Sequence, residues 1–479
     1  MRSAIPSLIL CALVASSARA DTIVLKNGGR IVAANVTDDG NRVVYETAAG
    51  ELSISKSAVA RIERDNLADS PATKAASEAP VSAPQVELVR GYEDVTRLTI
   101  HDNAIDFAYI ARLESDARTG LAGPSAKAAA AHSAAADFLM GKGDSDGAID
   151  HLREALALAP DNVAALLNLA ILYLHNNQYT QALGPLEHAR RVTPDSSPVA
   201  ADVAKLMGWA YSGANNLDRA IEEWKLSEKL RPDAEVERAL VKVERDRSEE
   251  ENYREGETAH FALKYYGGAN PDLAAEILRN LENDFNDLES QLNYSPPEQI
   301  AVILYTQQAF ADITQAPGWV GALNDGRLRI PVQGLTSVTP DLARVLKHEL
   351  THSFVGQKTH GRAPTWLQEG IAQWMEGKRS SATASSILGA ASQGALPNLR
   401  SLEGNWMGMP ANAVALAYPW SLAVIESVIQ SGDVSDVDRL MDRIGASTSD
   451  EGAVREVLRT DYAGLEQQSL DYLQHEYIH

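Results

Sequence analysis

Cysteine is all but missing: the 479 residues contain one, Cys11, in the N-terminal segment. A chain with no other thiol has no disulfide framework, no Cys-based metal site and no cysteine nucleophile. Positive charge is short as well. Lys and Arg number 43 against 65 Asp and Glu, a formal net charge of −22. An acid excess of that size argues against nucleic acid or an anionic membrane as the main partner. Glycine (32) and proline (20) show no collagen-like excess, and no Walker-type or dinucleotide-binding glycine loop is present. Past residue 20 no run of 18 or more apolar residues occurs. What remains is globular in composition, 45% apolar and 23% charged, with length for two to four domains.

Met1–Ala20 combines Arg2, an apolar stretch around Leu8–Ala15, and Ala18-Arg19-Ala20 as an A-x-A cleavage site. The stretch is too short to span a bilayer, so the segment reads as a secretory signal peptide. Leu10, where a small residue is wanted, argues against a lipoprotein reading of Cys11. Cleavage removes Arg2 and Arg19, taking the net charge from −22 to −24. The expected product is exported, periplasmic or secreted, and has no integral membrane segment.

Residues 21–66 alternate apolar and polar positions in Thr22–Leu25, Arg30–Val32, Arg42–Thr47 and Val59–Ile62. Turn signals at Asn27-Gly28-Gly29 and Asp38–Asn41 separate these strands. The arrangement resembles the small SH3-like modules of exported bacterial proteins. Residues 67–94 open on an Ala/Ser/Pro-rich stretch, Leu67–Gln85, and read as a linker.

From 95 to 254 the pattern predicts an almost wholly helical region, and it repeats. Ala148, Ala155 and Pro160 recur as Ala182, Ala189 and Pro194, then as Ala220, Ser227 and Pro232, with four extra residues placed near Asp195–Pro198. Leu166, Leu169, Ala170 and Tyr173 match Ala204, Met207, Gly208 and Tyr211. This resembles the tetratricopeptide repeat, a helix–turn–helix unit of about 34 residues. The resemblance implies a stacked surface that binds a protein partner.

A charged helix, Glu235–Glu251, precedes a change of texture. In 255–479 strands alternate with helices: His260–Tyr266, a helix Pro271–Leu292, a buried strand Ile300–Tyr305, then Gly326–Val332, whose Pro331 suggests a sheet edge. Five of the seven tryptophans fall here.

A helix from Pro340 to Val355 contains His348-Glu349-Leu350-Thr351-His352, an H-E-x-x-H sequence. Spacing of four puts both imidazoles on one helical face, within reach of one zinc ion, with Glu349 offset toward a zinc-activated water as general base. Seventeen residues after His352 lies Glu369, in a second amphipathic helix begun after Pro364. H-E-x-x-H with Trp366-Leu367-Gln368-Glu369-Gly370 resembles the gluzincin metallopeptidases, of thermolysin and aminopeptidase type. The likeness is nearest to their MA-clan-like bacterial branch with a W-L-x-E-G signature, and it covers roughly His260–His479. It implies a thermolysin-type α+β domain, the zinc ligands His348, His352 and Glu369, Glu349 as base, and a peptide or protein substrate aligned along Gly326–Val332.

Three nearby positions carry expectations of their own. Gln373, one turn past Glu369, takes the place of the thermolysin-type carboxylate that holds a zinc histidine. Tyr418, in Ala417–Ser421 ahead of another helix, is either an oxyanion stabiliser or a half-buried structural tyrosine. Gly321–Asp325 resembles the G-A-M-E-N segment of gluzincin aminopeptidases, but Asn324 stands where those enzymes have the Glu that captures a free amine. Other patterns are rejected. Gly143–Gly147 matches G-x-S-x-G but joins two helices of a repeat instead of a strand and a helix. His360 follows His352 without the Gly and His that a metzincin needs, since Val355 and Lys358 occupy those positions.

The reading is therefore an exported zinc metallopeptidase with a small β module and a repeat platform. Its rival is a catalytically silent peptidase fold whose repeats bind or assemble, and hydrolysis of a non-peptide amide is a third possibility.

Overall fold

The structure, a computed structural model, describes residues 20–25, 30–38, 42–47, 50–56, 59–63, 93–118, 122–142, 144–269, 271–314, 322–332, 334–404, 406, 409, 411–446 and 448–478. The signal-peptide reading of Met1–Ala20, Cys11 included, lies outside them but for Ala20, as does all but the end of the 67–94 linker.

The N-terminal module is an antiparallel sheet of β1 (Ala20–Leu25), β2 (Arg30–Asp38), β3 (Arg42–Thr47), β4 (Gly50–Ser55) and β5 (Val59–Glu63), ordered β4-β3-β2-β1-β5. Four strands fall where alternation places them. β4 is an addition: it pairs with β3 from Arg42↔Ser55 to Thr47↔Gly50, two residues beyond that strand, a typical hairpin spacing.

The next region is helical with one interruption. α1 (Glu93–Thr99) runs into a hairpin of β6 (Ile100–His101) and β7 (Ala104–Ile105), turned by Asp102 and Asn103 in the left-handed region. Asp and Asn tolerate that conformation, which the helical reading overlooked. Then follow α2 (Phe107–Ala117), α3 (Ala122–Lys142), α4 (Ser145–Leu158), α5 (Val163–His175), α6 (Tyr179–Val192), α7 (Val199–Gly213), α8 (Leu217–Leu230) and α9 (Ala234–Glu250). The recurring small residues sit at helix contacts. A Cβ on Gly208 would lie 2.3 Å from the Trp224 ring, and one on Gly213 would lie 2.2 Å from Tyr179. Of the four extra residues of the third unit, two lengthen the connection between α6 and α7 and two lengthen the start of α7, compared with α4 and α5. Ser145 of the G-x-S-x-G match opens α4, with Asp144 capping it through the Gly147 N–H. It is a helix start and not a nucleophile elbow.

The C-terminal region has a five-stranded sheet, ordered β11-β12-β10-β9-β8. Its strands are β8 (Arg254–Glu257), β9 (Phe261–Tyr265), β10 (Ile300–Tyr305), β11 (Leu323–Asn324) and β12 (Arg327–Pro331). The middle three are parallel and the two outer ones antiparallel. Helices α10 (Pro271–Leu292) and α11 (Gln307–Thr314) occupy the connections. This corrects one expectation: the Gly326–Val332 strand is not the sheet edge. β11 covers it at Leu328 and Arg329, and β11 is the edge. Pro331 is tolerated because β11 does not reach that far along β12.

Side chains on β12 alternate between two environments. Leu328 and Ile330 enter the apolar core with α10 and with α12 (Pro340–Lys358). Arg327 and Arg329 point the other way and meet α9. Six further helices finish the region: α13 (Thr365–Met375), α14 (Ala384–Ser392), α15 (Ala411–Ser431), α16 (Val434–Gly445), α17 (Asp450–Leu458) and α18 (Tyr462–Tyr477). Among the described helices α15 is long and apolar enough to cross a membrane. Here Trp420, Ala423, Val424 and Ile425 are buried in the protein core.

Candidate active site

The helix that carries H-E-x-x-H is well specified locally. Thr339 caps it by accepting from the Leu342 N–H, Pro340 fits its first turn, and Asp341 complements the helix dipole. Leu342, Leu346, Leu350 and Phe354 bury one face. His348, Glu349 and His352 project beside that face, toward α13.

The sequence of α13 places Glu369 with equal economy. Trp366, Leu367 and Ile371 are buried, so the helix cannot roll without exposing them. Gly370 is required by close approach to α15: a Cβ there would lie 2.5 Å from the Ser421 carbonyl oxygen. The glycine after the glutamate thus lets α13 sit deep enough for Glu369 to face α12.

Three donors converge. His348 Nε2 lies 3.2 Å from His352 Nε2, Glu369 Oε2 lies 3.5 Å from His348 Nε2, and Glu369 Oε1 lies 3.6 Å from His352 Nε2. All fall within 4.8 Å of one another, and this is the one such group among the described residues. Tetrahedral zinc with bonds near 2.0–2.1 Å sets its ligand atoms about 3.3 Å apart, so the spacing and the two-His, one-carboxylate chemistry both fit. Glu369 Oε2 is buried without a hydrogen-bond partner, which leaves it free to bind a cation. His360 does not join the group. It lies past the end of α12 in the left-handed region, where burial and the neighbouring Arg362 lower its pKa.

The electrostatics are those of charges crowded out of water. Burial opposes ionisation of Glu349 and, with Glu369 and Glu376 nearby, raises its pKa to about 7. Burial alone would keep His348 neutral, but Glu369 and Glu376 override it and raise its pKa to about 10. Burial lowers His352 to about 4. A bound dication would reverse the balance, favouring ionised carboxylates and neutral imidazoles.

The surrounding residues depart from expectation in an instructive way. Gln373 does not touch a histidine: its Nε2 donates to the Glu369 and Tyr418 carbonyl oxygens at 3.0 and 2.9 Å, tying α13 to α15. The carboxylate beside the histidine is Glu376, with Oε1 3.3 Å from His348 Nδ1 and 2.9 Å from Lys378 Nζ. Glu376 is seven residues after Glu369, two turns along the same face, so helical spacing could have found it. Tyr418 lies within α15 instead of ahead of a helix. Its ring packs edge-on to Trp406 at 5.0 Å, and burial followed by the Glu369 and Glu349 charges raises its hydroxyl pKa.

Comparison with known proteins bears on both halves. Residues 139–206 match the family model for a tetratricopeptide repeat, and residues 290–475 match that for the Peptidase MA superfamily. No curated protein matches the chain. Similar solved structures include the "MamA RS-1 ArsTM double mutant", 24% identical over 28% of this chain and 72% of that one, with a TM-score of 0.22. Another is the "TPR2AB-domain:pHSP90-complex of yeast Sti1", 14% identical over 72% of this chain and 98% of that one, with a TM-score of 0.24. The chain therefore carries a tetratricopeptide repeat and a Peptidase MA superfamily domain, the latter holding the His348, His352 and Glu369 group.

Proposed function

We propose that the protein is an exported zinc metallopeptidase whose repeats hold a protein partner or the substrate. The observation that carries the reading is the convergence of His348, His352 and Glu369 within 4.8 Å, with Glu349 one residue along the same helix. Export rests on the N-terminal sequence, and partner binding rests on the repeats.

His348, His352 and Glu369 would hold a zinc ion, which would supply Lewis acidity toward a scissile carbonyl and toward water. Glu349 takes a proton from the attacking water and passes it to the leaving amine. Tyr418, held protonated by burial and by neighbouring carboxylates, donates to the developing oxyanion. Glu376 Oε1, 3.3 Å from His348 Nδ1, pairs with that ring and favours the orientation in which Nε2 faces inward.

The test combines metal analysis with a peptide-library digest. Glu349→Gln should retain zinc and lose about 10²–10⁴-fold in turnover. Glu369→Ala should lose zinc and activity together, whereas His360→Ala should keep both. A Glu349→Gln protein that cleaves as fast as wild type would sink the reading.

A further inference from the structure

Asn324 sits on the edge strand β11 and spends its side chain on the catalytic helix. Its Nδ2 donates to the Glu349 carbonyl oxygen and to Ser353 Oγ, both at 2.7 Å, and its Oδ1 accepts from the Gly326 N–H at 3.1 Å. An amide has two N–H donors, so none remains for substrate. This position does not present the acidic group that would capture a free amine.

The two bonds join a strand to the backbone of the proposed base. β11 pairs with β12 on one side, at Leu323↔Arg329 and Asn324↔Leu328, and no described strand pairs with its other side. An extended segment added to that open edge would lie at a distance from α12 that Asn324 determines. The turn is gripped from the opposite side as well. Asp325 meets Arg329 Nε at 2.9 Å and Lys242 Nζ, from α9, also at 2.9 Å. Burial would raise the Asp325 pKa, but these two cations override it and keep the carboxylate ionised. Residues 324–326 are therefore clamped between the last helix of the repeat region and the H-E-x-x-H helix.

Resting on the peptidase reading, we infer that Asn324 is a positioning residue. It fixes the gap between the edge strand and Glu349, and the Lys242–Asp325 pair anchors it from the repeat side. Substrate binds through the strand and zinc through the histidines, so loss of the tether misaligns attack without emptying either site.

Asn324→Asp keeps the shape and removes the donor, and Asn324→Ala removes both. In the full-length zinc-loaded protein each should lower kcat by about 10–100-fold, the penalty of a misplacement near 1 Å. KM and zinc stoichiometry should stay at wild-type values, a split that general loosening of the domain would not give. Lys242→Met, on α9, should lower kcat in the same direction and by less. Wild-type kcat in Asn324→Asp, or a rise in KM with loss of zinc, overturns the proposal. So does Lys242→Met with unaltered kcat, since it removes the anchor. Wild-type protein without peptidase activity would sink the functional reading instead, and Glu349→Gln measured alongside separates the two failures.

Discussion

The two faces of the C-terminal sheet are built from opposite materials. Toward α10 and α12, the row Leu263, Val302 and Leu328 lies across three strands, joined by Phe261, Leu304 and Ile330, all within the apolar core. Toward α9, Lys264 and Arg329 meet acids, while Ile303 between them joins a smaller apolar cluster with Phe310 and Ile313 of α11. Arg329 forms two bonds to Asp246 at 3.0 and 2.7 Å, and Arg327 forms two to Glu250 at 2.8 and 2.7 Å. The Tyr305 hydroxyl accepts from Arg329 and donates to Glu250. The apolar face holds the H-E-x-x-H helix through burial, which is strong and non-directional. The charged face holds the repeat region through paired, forked hydrogen bonds that tolerate one register. Stability is gathered on one side of the sheet and orientation on the other.

The sharpest way to break that contrast is to orphan a charge. Asp246→Leu leaves the Arg329 guanidinium, 1% exposed, without its main partner. It should cost about 3–5 kcal/mol in denaturant unfolding. Leu328→Ala on the opposite face should cost a similar 2–5 kcal/mol, by cavity formation. The faces differ in rescue. Replacing Asp246, Glu250, Arg327 and Arg329 together with apolar residues of like size should restore much of the loss, because buried ion pairs contribute little net stability. Failure of the fourfold variant to regain stability would show that the charged face stabilises as well as orients.

A smaller effect is expected at the site that the apolar face supports. Glu376→Gln should weaken zinc binding about 10–100-fold, by loosening the His348 ring. Gln373→Ala should leave zinc affinity unchanged, since its bonds run to carbonyl oxygens of α13 and α15. Competition against a chelator reads both. Equal losses would restore the role that the thermolysin-type resemblance implies for Gln373.

How much was legible follows from where the information sits. The repeats write their architecture at fixed offsets, so Ala182, Ala189 and Tyr211 were placed correctly from periodicity. The bounds of α10, β10 and the start of α12 also follow from local pattern and prolines. His348, His352 and Glu369 could be gathered because two short motifs carry them. What stayed hidden depends on distant partners. Asp246 and Glu250 look like the solvated face of a charged helix until Arg327 and Arg329, some eighty residues on, bury them. β11 is two residues long, below any periodic signal, so the sequence pattern alone leaves β12 at the edge. Asn324 drew notice through a resemblance, but its bond to the Glu349 backbone is a tertiary fact.

The smallest effect sharpens the comparison from the repeat side, where a half-buried acid has no cation paired with it among the described residues. Asp137 on α3 accepts from Asn168 Nδ2 at 3.3 Å, and burial raises its pKa from 3.8 to about 6. The sign follows from linkage: a carboxyl that is harder to ionise when folded favours the folded state while protonated. That contribution is complete below pH 3.8 and is lost as pH rises through about 6. Above that range the folded chain carries an unfavourable, partly buried charge. Asn at this position keeps the carbonyl acceptor for Asn168 and removes the charge. Asp137→Asn should therefore melt higher than wild type at pH 8, with the difference shrinking as the pH falls toward 4. The isosteric Asp246→Asn should instead melt lower than wild type, because it removes the charge that Arg329 pairs with. Melting curves at the two pH values test both. A pH-independent difference for Asp137→Asn would mean that Asn168, and not burial, governs the carboxyl.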